Sequence, residues 1–281
     1  MKDALICLKS DLKFFVKNTA ANFLGVEIRR AKPKTSHAQS KVPKNAIKKL
    51  IKDKGFAVID GQASWFYTAY ERGDHDPLTN FALDYIIKGF KKDSRILVTG
   101  CGTGIMALHL EDQGFQHVSG FDYLDECVDV ANSIAKMGSY KADFYQADGF
   151  APTFKHEGYD VITAMHWVFS AWMGNYGNEQ LHSGITSDEL REKLLTEFLS
   201  PYASKLNTGG VIIVELTDAV SDYRISTDHF MGDYSLKIYP IRHTPNQVEK
   251  CASSVGLKVI QKNLSVSYGH HPRTQYILQR V

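Results

Sequence analysis

From about residue 77 onward, short apolar runs alternate with longer stretches in which apolar residues recur at helical spacing. The apolar runs predict five strands, which are Arg95–Thr99, His117–Asp122, Ala142–Gln146, Asp160–Ala164 and Val211–Leu216. The stretches between them predict helices at about Gly104–Gln113, Leu124–Met137 and Ser187–Leu206. Such alternation is typical of a parallel sheet covered by helices on both faces. The pattern therefore predicts an α/β fold with a doubly wound, mostly parallel sheet.

The flanks of this region complete the pattern. Asp76 followed by Pro77 is typical of a helix start and predicts a helix to about Phe90. A helix near Pro245–Val255 and two strands, Leu257–Ser265 and Arg273–Gln279, bring the sheet to seven strands. At the start of the long helix before Leu206, Thr186 and Glu189 have capping-box spacing.

Residues 1–76 follow a different pattern and form a predicted basic, helical extension of the domain at 77–281. Leu5–Leu24 has near-helical apolar spacing with lysines interleaved and predicts an amphipathic helix. The polar stretch Ala31–Lys44 predicts a linker, and Asn45–Lys54 a second basic helix. An aromatic-rich stretch follows from Gly55 to Tyr70.

Charge separates these two parts more than the net value of +2 suggests. Residues 1–56 hold 14 Lys and Arg against 4 Asp and Glu, so this segment carries +10 and the remainder −8. The basic segment has four alternative roles. It could contact an anionic membrane, bind an acidic carrier, form a homodimer or pack on the chain's own acidic surface. The acidic remainder argues against a nucleic-acid partner.

Other compositional features narrow the setting. No apolar run approaches the length that spans a bilayer, and charges interrupt the first residues, so we expect a cytoplasmic protein. The four cysteines are scattered without metal-ligand spacing, which predicts reduced thiols and no metal site.

The segment VTGCGTGIMALHL places Gly100, Gly102 and Gly104 between a predicted strand and its helix. Glycine tolerates the unusual backbone angles of such a turn and lets a ligand approach the main chain, which indicates a nucleotide-type ligand. A dinucleotide fingerprint would require glycine where Ile105 stands.

The GxGxG turn, together with Asp122 after the second strand and Asp148 after the third, resembles the class I S-adenosylmethionine-dependent methyltransferases over roughly residues 77–281. The resemblance implies a Rossmann-like fold, S-adenosylmethionine as cofactor, Asp122 at the ribose and Asp148 beside the adenine. Val98 and Thr99 stand where the family carries an acidic residue, so backbone carbonyls or the segment Trp65–Tyr70 must receive the methionine amino group. The cofactor residues implied in this way are Thr99, Gly100, Cys101, Gly102, Gly104, Asp122, Tyr123, Asp148, Gly149, Phe150 and His166.

Methyl transfer from a sulfonium needs alignment, exclusion of water and removal of a proton. The candidate bases follow the fourth and fifth strands or the insert beyond them: His166 first, then Glu215, then His243. The segment MHWVFS lacks the Asp/Asn-Pro-Pro-Tyr/Phe turn of nucleic-acid amino methyltransferases. The sequence therefore predicts methylation of an oxygen, less favourably a nitrogen, of a small-molecule or sugar-containing acceptor.

The acceptor is expected to meet aromatic and arginine side chains outside the cofactor motifs. The resemblance to the methyltransferase family implies that residues 217–244 form a substrate lid. The predicted acceptor residues are Tyr67, Tyr70, Trp167, Trp172, Tyr176, Arg224 and Arg242. The alternative is a non-catalytic binding or targeting protein that keeps the cofactor fold and works through its basic N-terminal segment.

Overall fold

The computed structural model describes residues 41–53, 77–168, 187–218, 241–265 and 273–281. The predicted helix at Leu5–Leu24, the aromatic stretch from Gly55 and most of the expected lid lie outside these ranges. So do five of the predicted acceptor residues, Tyr67, Tyr70, Trp172, Tyr176 and Arg224.

Helices and strands alternate along the described chain. The helices are α1 (Lys44–Asp53), α2 (Pro77–Gly89), α3 (Ile105–Asp112), α4 (Asp125–Met137), α5 (Asp188–Lys205) and α6 (Pro245–Ser254). The strands are β1 (Arg95–Thr99), β2 (His117–Asp122), β3 (Asp143–Gln146), β4 (Tyr159–Ala164), β5 (Leu206–Asp218), β6 (Arg242–His243), β7 (Leu257–Ser265) and β8 (Arg273–Arg280). The predicted elements of the domain are thus present, with ends shifted by a few residues.

The strands form one sheet in the order β3-β2-β1-β4-β5-β8-β7, and the short β6 pairs with β5 off this path. Strands β1 to β5 are parallel to one another, whereas β8 runs antiparallel between β5 and β7. This confirms the predicted seven-stranded, mostly parallel sheet. The strand order reverses at β1, between β2 and β4, and ligands of such sheets bind at the carboxyl ends of the strands beside this reversal.

Two apolar cores cover the two faces of the sheet. One joins α1, α2, α3 and α4 to the sheet around residues such as Ile47, Ile86 and Ile134. The other joins α5 and α6 to the opposite face around Phe198, Tyr202 and Val248. Helices therefore shield both faces, and the loops at the strand ends are left to form a site.

Two local predictions were wrong in detail. The side chain that caps α5 is Ser187, which accepts from the Leu190 amide, so the predicted pair Thr186 and Glu189 does not mark the helix start. Strand β5 begins at Leu206, five residues before the prediction, because Leu206 pairs with Tyr159 across an irregular register. The intervening Asn-Thr-Gly-Gly residues are typical of a turn and hid this pairing.

The end of the predicted extension packs against the domain. Val42 and Ile47 are buried in the same core as α4. The Lys41 amide donates to the Tyr140 hydroxyl at 3.0 Å, and this hydroxyl donates to Asp112 Oδ2 at 3.0 Å. Residues 41–53 are therefore attached to the outer surface of the α3–α4 side by both apolar and polar contacts.

Candidate cofactor and acceptor site

The turn after β1 has the left-handed backbone that its glycines predicted. Gly100, Gly102 and Gly104 have φ of 58°, 53° and 80°, and Gly104 precedes the first residue of α3. Such angles are costly for residues with a Cβ. The chain therefore passes from β1 directly into α3 with the turn at the carboxyl edge of the sheet.

Asp122 joins this turn to the end of β2. Its Oδ2 accepts from the Gly102 amide at 2.8 Å, and its Oδ1 accepts from the Leu124 amide at 3.0 Å. Burial raises the pKa of the Asp122 carboxyl against the lowering effect of these backbone hydrogen bonds. Each carboxylate oxygen accepts more than one hydrogen bond, so this geometry leaves capacity for a ligand hydroxyl.

Trp167 packs against two of the predicted cofactor glycines. A Cβ at Gly100 would lie 2.2 Å from Trp167 Cδ1, and a Cβ at Gly149 would lie 2.2 Å from Trp167 Cη2. The indole Nε1 donates to the Thr99 carbonyl at 3.0 Å. This ring, predicted as part of an acceptor wall, thus lies beside the turns after β1 and β3.

The turn after β3 is held from below by an aromatic cluster. The Tyr202 hydroxyl donates to the Gly149 carbonyl at 2.6 Å, and the Phe198 and Phe150 rings each meet Trp167 edge to face at 5.6 Å. Asp148 is exposed, and its Oδ1 accepts from the Phe150 amide at 2.9 Å. These contacts fix the backbone on which Asp148 stands.

Two predicted cofactor residues turn their side chains away from this edge. The Thr99 hydroxyl donates to the Thr163 carbonyl at 2.8 Å and is buried within the sheet. Cys101 is also buried, and burial raises the pKa of its thiol well above the usual range. By contrast, Tyr123 is 53% exposed at the end of β2. The side chains of Thr99 and Cys101 are thus buried, and contact of these two residues with the cofactor stays a prediction.

His166 lies at the carboxyl end of β4 with its ring held on both sides. Its Nδ1 lies 2.9 Å from Glu215 Oε2, and its Nε2 lies 2.7 Å from the Thr79 hydroxyl. The His166 backbone has φ of 72°, and its amide donates to the same Glu215 Oε2 at 3.1 Å. Strained backbone of this kind is common at functional sites.

Glu215 is buried in β5 and also pairs with Arg273, whose Nη1 donates to its Oε1 at 2.7 Å. Burial alone would raise the pKa of this carboxyl, but its interactions with His166 and Arg273 outweigh burial and lower the pKa. A carboxylate with a lowered pKa and two partners is a poor proton acceptor. The geometry thus argues against Glu215 as the base.

The geometry also argues against His243, the third candidate base. It is 1% exposed, and its Nε2 donates to the Arg191 carbonyl at 3.0 Å. Burial lowers its pKa from 6.5 to about 4. These contacts place His243 in the packing between β6 and α5, where a structural role fits and access for an acceptor does not. The neighbouring side chain of Arg242 lies outside the described part of the structure.

Comparisons with known proteins find methyltransferases. A family model described as a methyltransferase domain matches residues 96–178, from β1 past the end of β4. A S-adenosylmethionine-dependent methyltransferase from Clostridium acetobutylicum superposes with a TM-score of 0.55 at 14% identity, over 78% of this chain and 98% of that chain. Residues 96–178 therefore match a methyltransferase domain, and the described sheet has the fold of a S-adenosylmethionine-dependent methyltransferase. Both matches support the family predicted from the glycine turn.

Two further comparisons also point to methyltransferases. Magnesium protoporphyrin IX methyltransferase from Synechocystis, with S-adenosylhomocysteine bound, has a TM-score of 0.53 at 12% identity, over 85% of this chain and 99% of that chain. The ribosomal protein L11 methyltransferase of Dechloromonas aromatica is 31% identical over 96 residues, 34% of this chain and 31% of that protein. The chain thus matches about a third of this curated relative. The ligand bound to the Synechocystis enzyme is the demethylated form of the cofactor predicted for this chain.

Sequence reasoning missed three side chains that complete the site: Thr79, Tyr202 and Arg273. Thr79 contacts His166, Tyr202 contacts Gly149 and Arg273 contacts Glu215. In each pair the two residues are far apart in the sequence. The sequence signal for Arg273 is its place at the start of a predicted strand. The periodicity of that strand does not predict the antiparallel register that brings β8 beside β5.

Of the described helices, none is both long and apolar enough to cross a membrane.

Proposed function

We propose that this protein transfers the methyl group of S-adenosylmethionine to an oxygen of a small-molecule or sugar-containing acceptor, with His166 as the general base. The observation that carries the proposal is the His166–Glu215 contact at the carboxyl ends of β4 and β5, beside the reversal of strand order. His166 is partly exposed, whereas Glu215 is buried. A buried carboxylate that orients a more exposed imidazole is a common arrangement for a base.

The cofactor fits the edge formed by the turns after β1, β2 and β3. Asp122 supplies acceptors for the ribose hydroxyls, and exposed Asp148 supplies an acceptor for the adenine amino group. The Gly102 turn brings the main chain close without a Cβ. The bound sulfonium supplies an activated methyl group, so the protein has to orient the acceptor and accept its proton.

His166 is suited to accept a hydroxyl proton because of its ring contacts. Glu215 accepts a hydrogen bond from Nδ1–H, which leaves the Nε2 lone pair to accept a proton. The Thr79 hydroxyl lies at this position, 2.7 Å from Nε2, so an acceptor hydroxyl has to replace it on binding. An imidazole base favours an oxygen acceptor because it can take the proton that a hydroxyl loses on methylation.

The first experiment is calorimetric titration of the full chain with S-adenosylmethionine, S-adenosylhomocysteine and NADH. We expect binding of both adenosyl ligands in the micromolar range and no binding of NADH. Gly102→Arg should abolish binding because it places a long side chain in the turn. Gly89→Arg is the matched control, since a Cβ at Gly89 meets nothing within 4 Å. Wild-type protein that binds neither adenosyl ligand would contradict the proposal.

The second experiment identifies the acceptor atom with methyl-labelled cofactor. Sugars, phenols and carboxylates test small-molecule oxygen acceptors, and purified ribosomal protein L11 tests the protein acceptor that the name of the curated relative suggests. His166→Gln should reduce turnover of an oxygen acceptor by about 10²–10⁴-fold with cofactor affinity unchanged. Cofactor binding with labelling of L11 alone would overturn the assignment of a small-molecule acceptor. Cofactor binding without labelling of any acceptor would favour a non-catalytic binding protein.

A further inference from the structure

We propose that Glu215 and Arg273 are positioning residues for His166: Glu215 fixes the ring as its Nδ1–H tautomer, and Arg273 balances the Glu215 charge so that the ring stays neutral. This inference rests on the proposed function, because it explains how His166 presents an unprotonated Nε2 to an acceptor. Neither role follows from the sequence motifs of the cofactor site.

The first step of the argument is the double contact at one carboxylate oxygen. Glu215 Oε2 lies 2.9 Å from His166 Nδ1 and accepts from the His166 amide at 3.1 Å. An ionised carboxylate only accepts hydrogen bonds, so Nδ1 carries the hydrogen. The amide contact also holds the left-handed backbone of His166, whose φ is 72°. Main chain and ring are thereby oriented by the same atom.

The second step concerns charge. Glu215 is buried, and a buried carboxylate needs a partner of opposite charge. Arg273 Nη1 donates to Glu215 Oε1 at 2.7 Å. His166 contacts the other carboxylate oxygen. Guanidinium remains protonated throughout the physiological range, so this partner is permanent. The imidazole is therefore not required as a second cation.

The third step concerns Nε2. The Thr79 hydroxyl is 2.7 Å from this nitrogen. In the proposed neutral ring it donates to the Nε2 lone pair, and the acceptor hydroxyl replaces it there on binding. Among the described residues, the charged groups facing the ring are Glu215 from β5 and, through Glu215, Arg273 from β8, while α2 contributes only the hydroxyl of Thr79. The surroundings thus combine one negative and one positive group around a neutral ring.

The test is ¹⁵N NMR of the full chain labelled at histidine, with the His166 signals identified by their loss in His166→Gln. At neutral pH we expect a neutral ring with a protonated Nδ1 and an unprotonated Nε2. Arg273→Met should raise the pH midpoint of the His166 titration by about one unit or more, because Glu215 then has only the imidazole as a counter-ion. Arg273→Lys should restore the wild-type midpoint.

Arg280→Met is the matched control, since Arg280 lies at the far end of β8 and donates to the Ser204 carbonyl at 3.4 Å. It should leave the His166 signals unchanged. A wild-type ring protonated at Nε2, or a midpoint that does not move in Arg273→Met, would overturn the proposal. If Arg273→Met does not fold, the wild-type spectrum still decides whether the ring is neutral with the hydrogen on Nδ1. The readout needs no acceptor, so a failure of the proposed function appears separately, as absent methyl transfer.

Discussion

His243 makes a quantitative prediction about acid sensitivity. Burial lowers its pKa from 6.5 to about 4, so between these values the unfolded chain binds a proton that the folded chain does not. The free energy of unfolding should therefore fall as the pH falls from about 6.5 towards 4. A gap of about 2.5 pH units at 1.36 kcal/mol per unit gives a loss of ~3 kcal/mol from this side chain. Nearly all of this contribution to the free energy of unfolding should be present above pH 6.5.

The assay is urea denaturation followed by circular dichroism at several pH values from 7 to 4. His243→Gln keeps a nitrogen donor for the Arg191 carbonyl but does not titrate. Between pH 6.5 and 4, its free energy of unfolding should therefore fall by up to ~3 kcal/mol less than that of the wild type. His117→Gln, at an exposed position at the start of β2, is the control and should follow the wild type. Parallel curves for wild type and His243→Gln would refute the assignment of the acid sensitivity to His243.

Three further outcomes are expected. Gly149→Ala should lower the free energy of unfolding by ~1–3 kcal/mol in urea, because its Cβ would lie 2.2 Å from Trp167 Cη2. Gly89→Ala, with open space around its Cβ, should not. Tyr202→Phe should weaken S-adenosylhomocysteine binding in calorimetry by a few-fold, about 1 kcal/mol, because the Gly149 carbonyl loses its donor. Cys101 should resist alkylation in the native protein, by mass spectrometry, since burial raises the pKa of its thiol well above the usual range; rapid native labelling would contradict that burial.

Local patterns carried the prediction of the strands and helices because each element shows its own periodicity. Leu257–Ser265 is an example, since its predicted bounds are those of β7. The order of cofactor motifs was equally local: the turn from Gly100 to Gly104 and the aspartates after β2 and β3 follow one another along the chain. Features that depend on residues close in sequence were therefore accessible before the structure.

Contacts between distant strands were not accessible in this way. Glu215 was predicted as a base because it ends a strand, but its partner Arg273 follows 58 positions later and reaches it through antiparallel pairing. Likewise, Trp167 is recognisable as aromatic in the sequence, whereas its contact with Gly149 depends on how two loops fold over one another. Tertiary packing settled both assignments.

The contact of Trp167 with two glycines has an evolutionary consequence. A smaller residue at position 167 would remove the steric reason for glycine at position 149, where no positive φ is recorded. Gly100 would keep a second reason, its φ of 58°. Related sequences should therefore lose Gly149 soon after they lose the tryptophan, while Gly100 persists. The two glycines, alike in the sequence, should drift on different timescales.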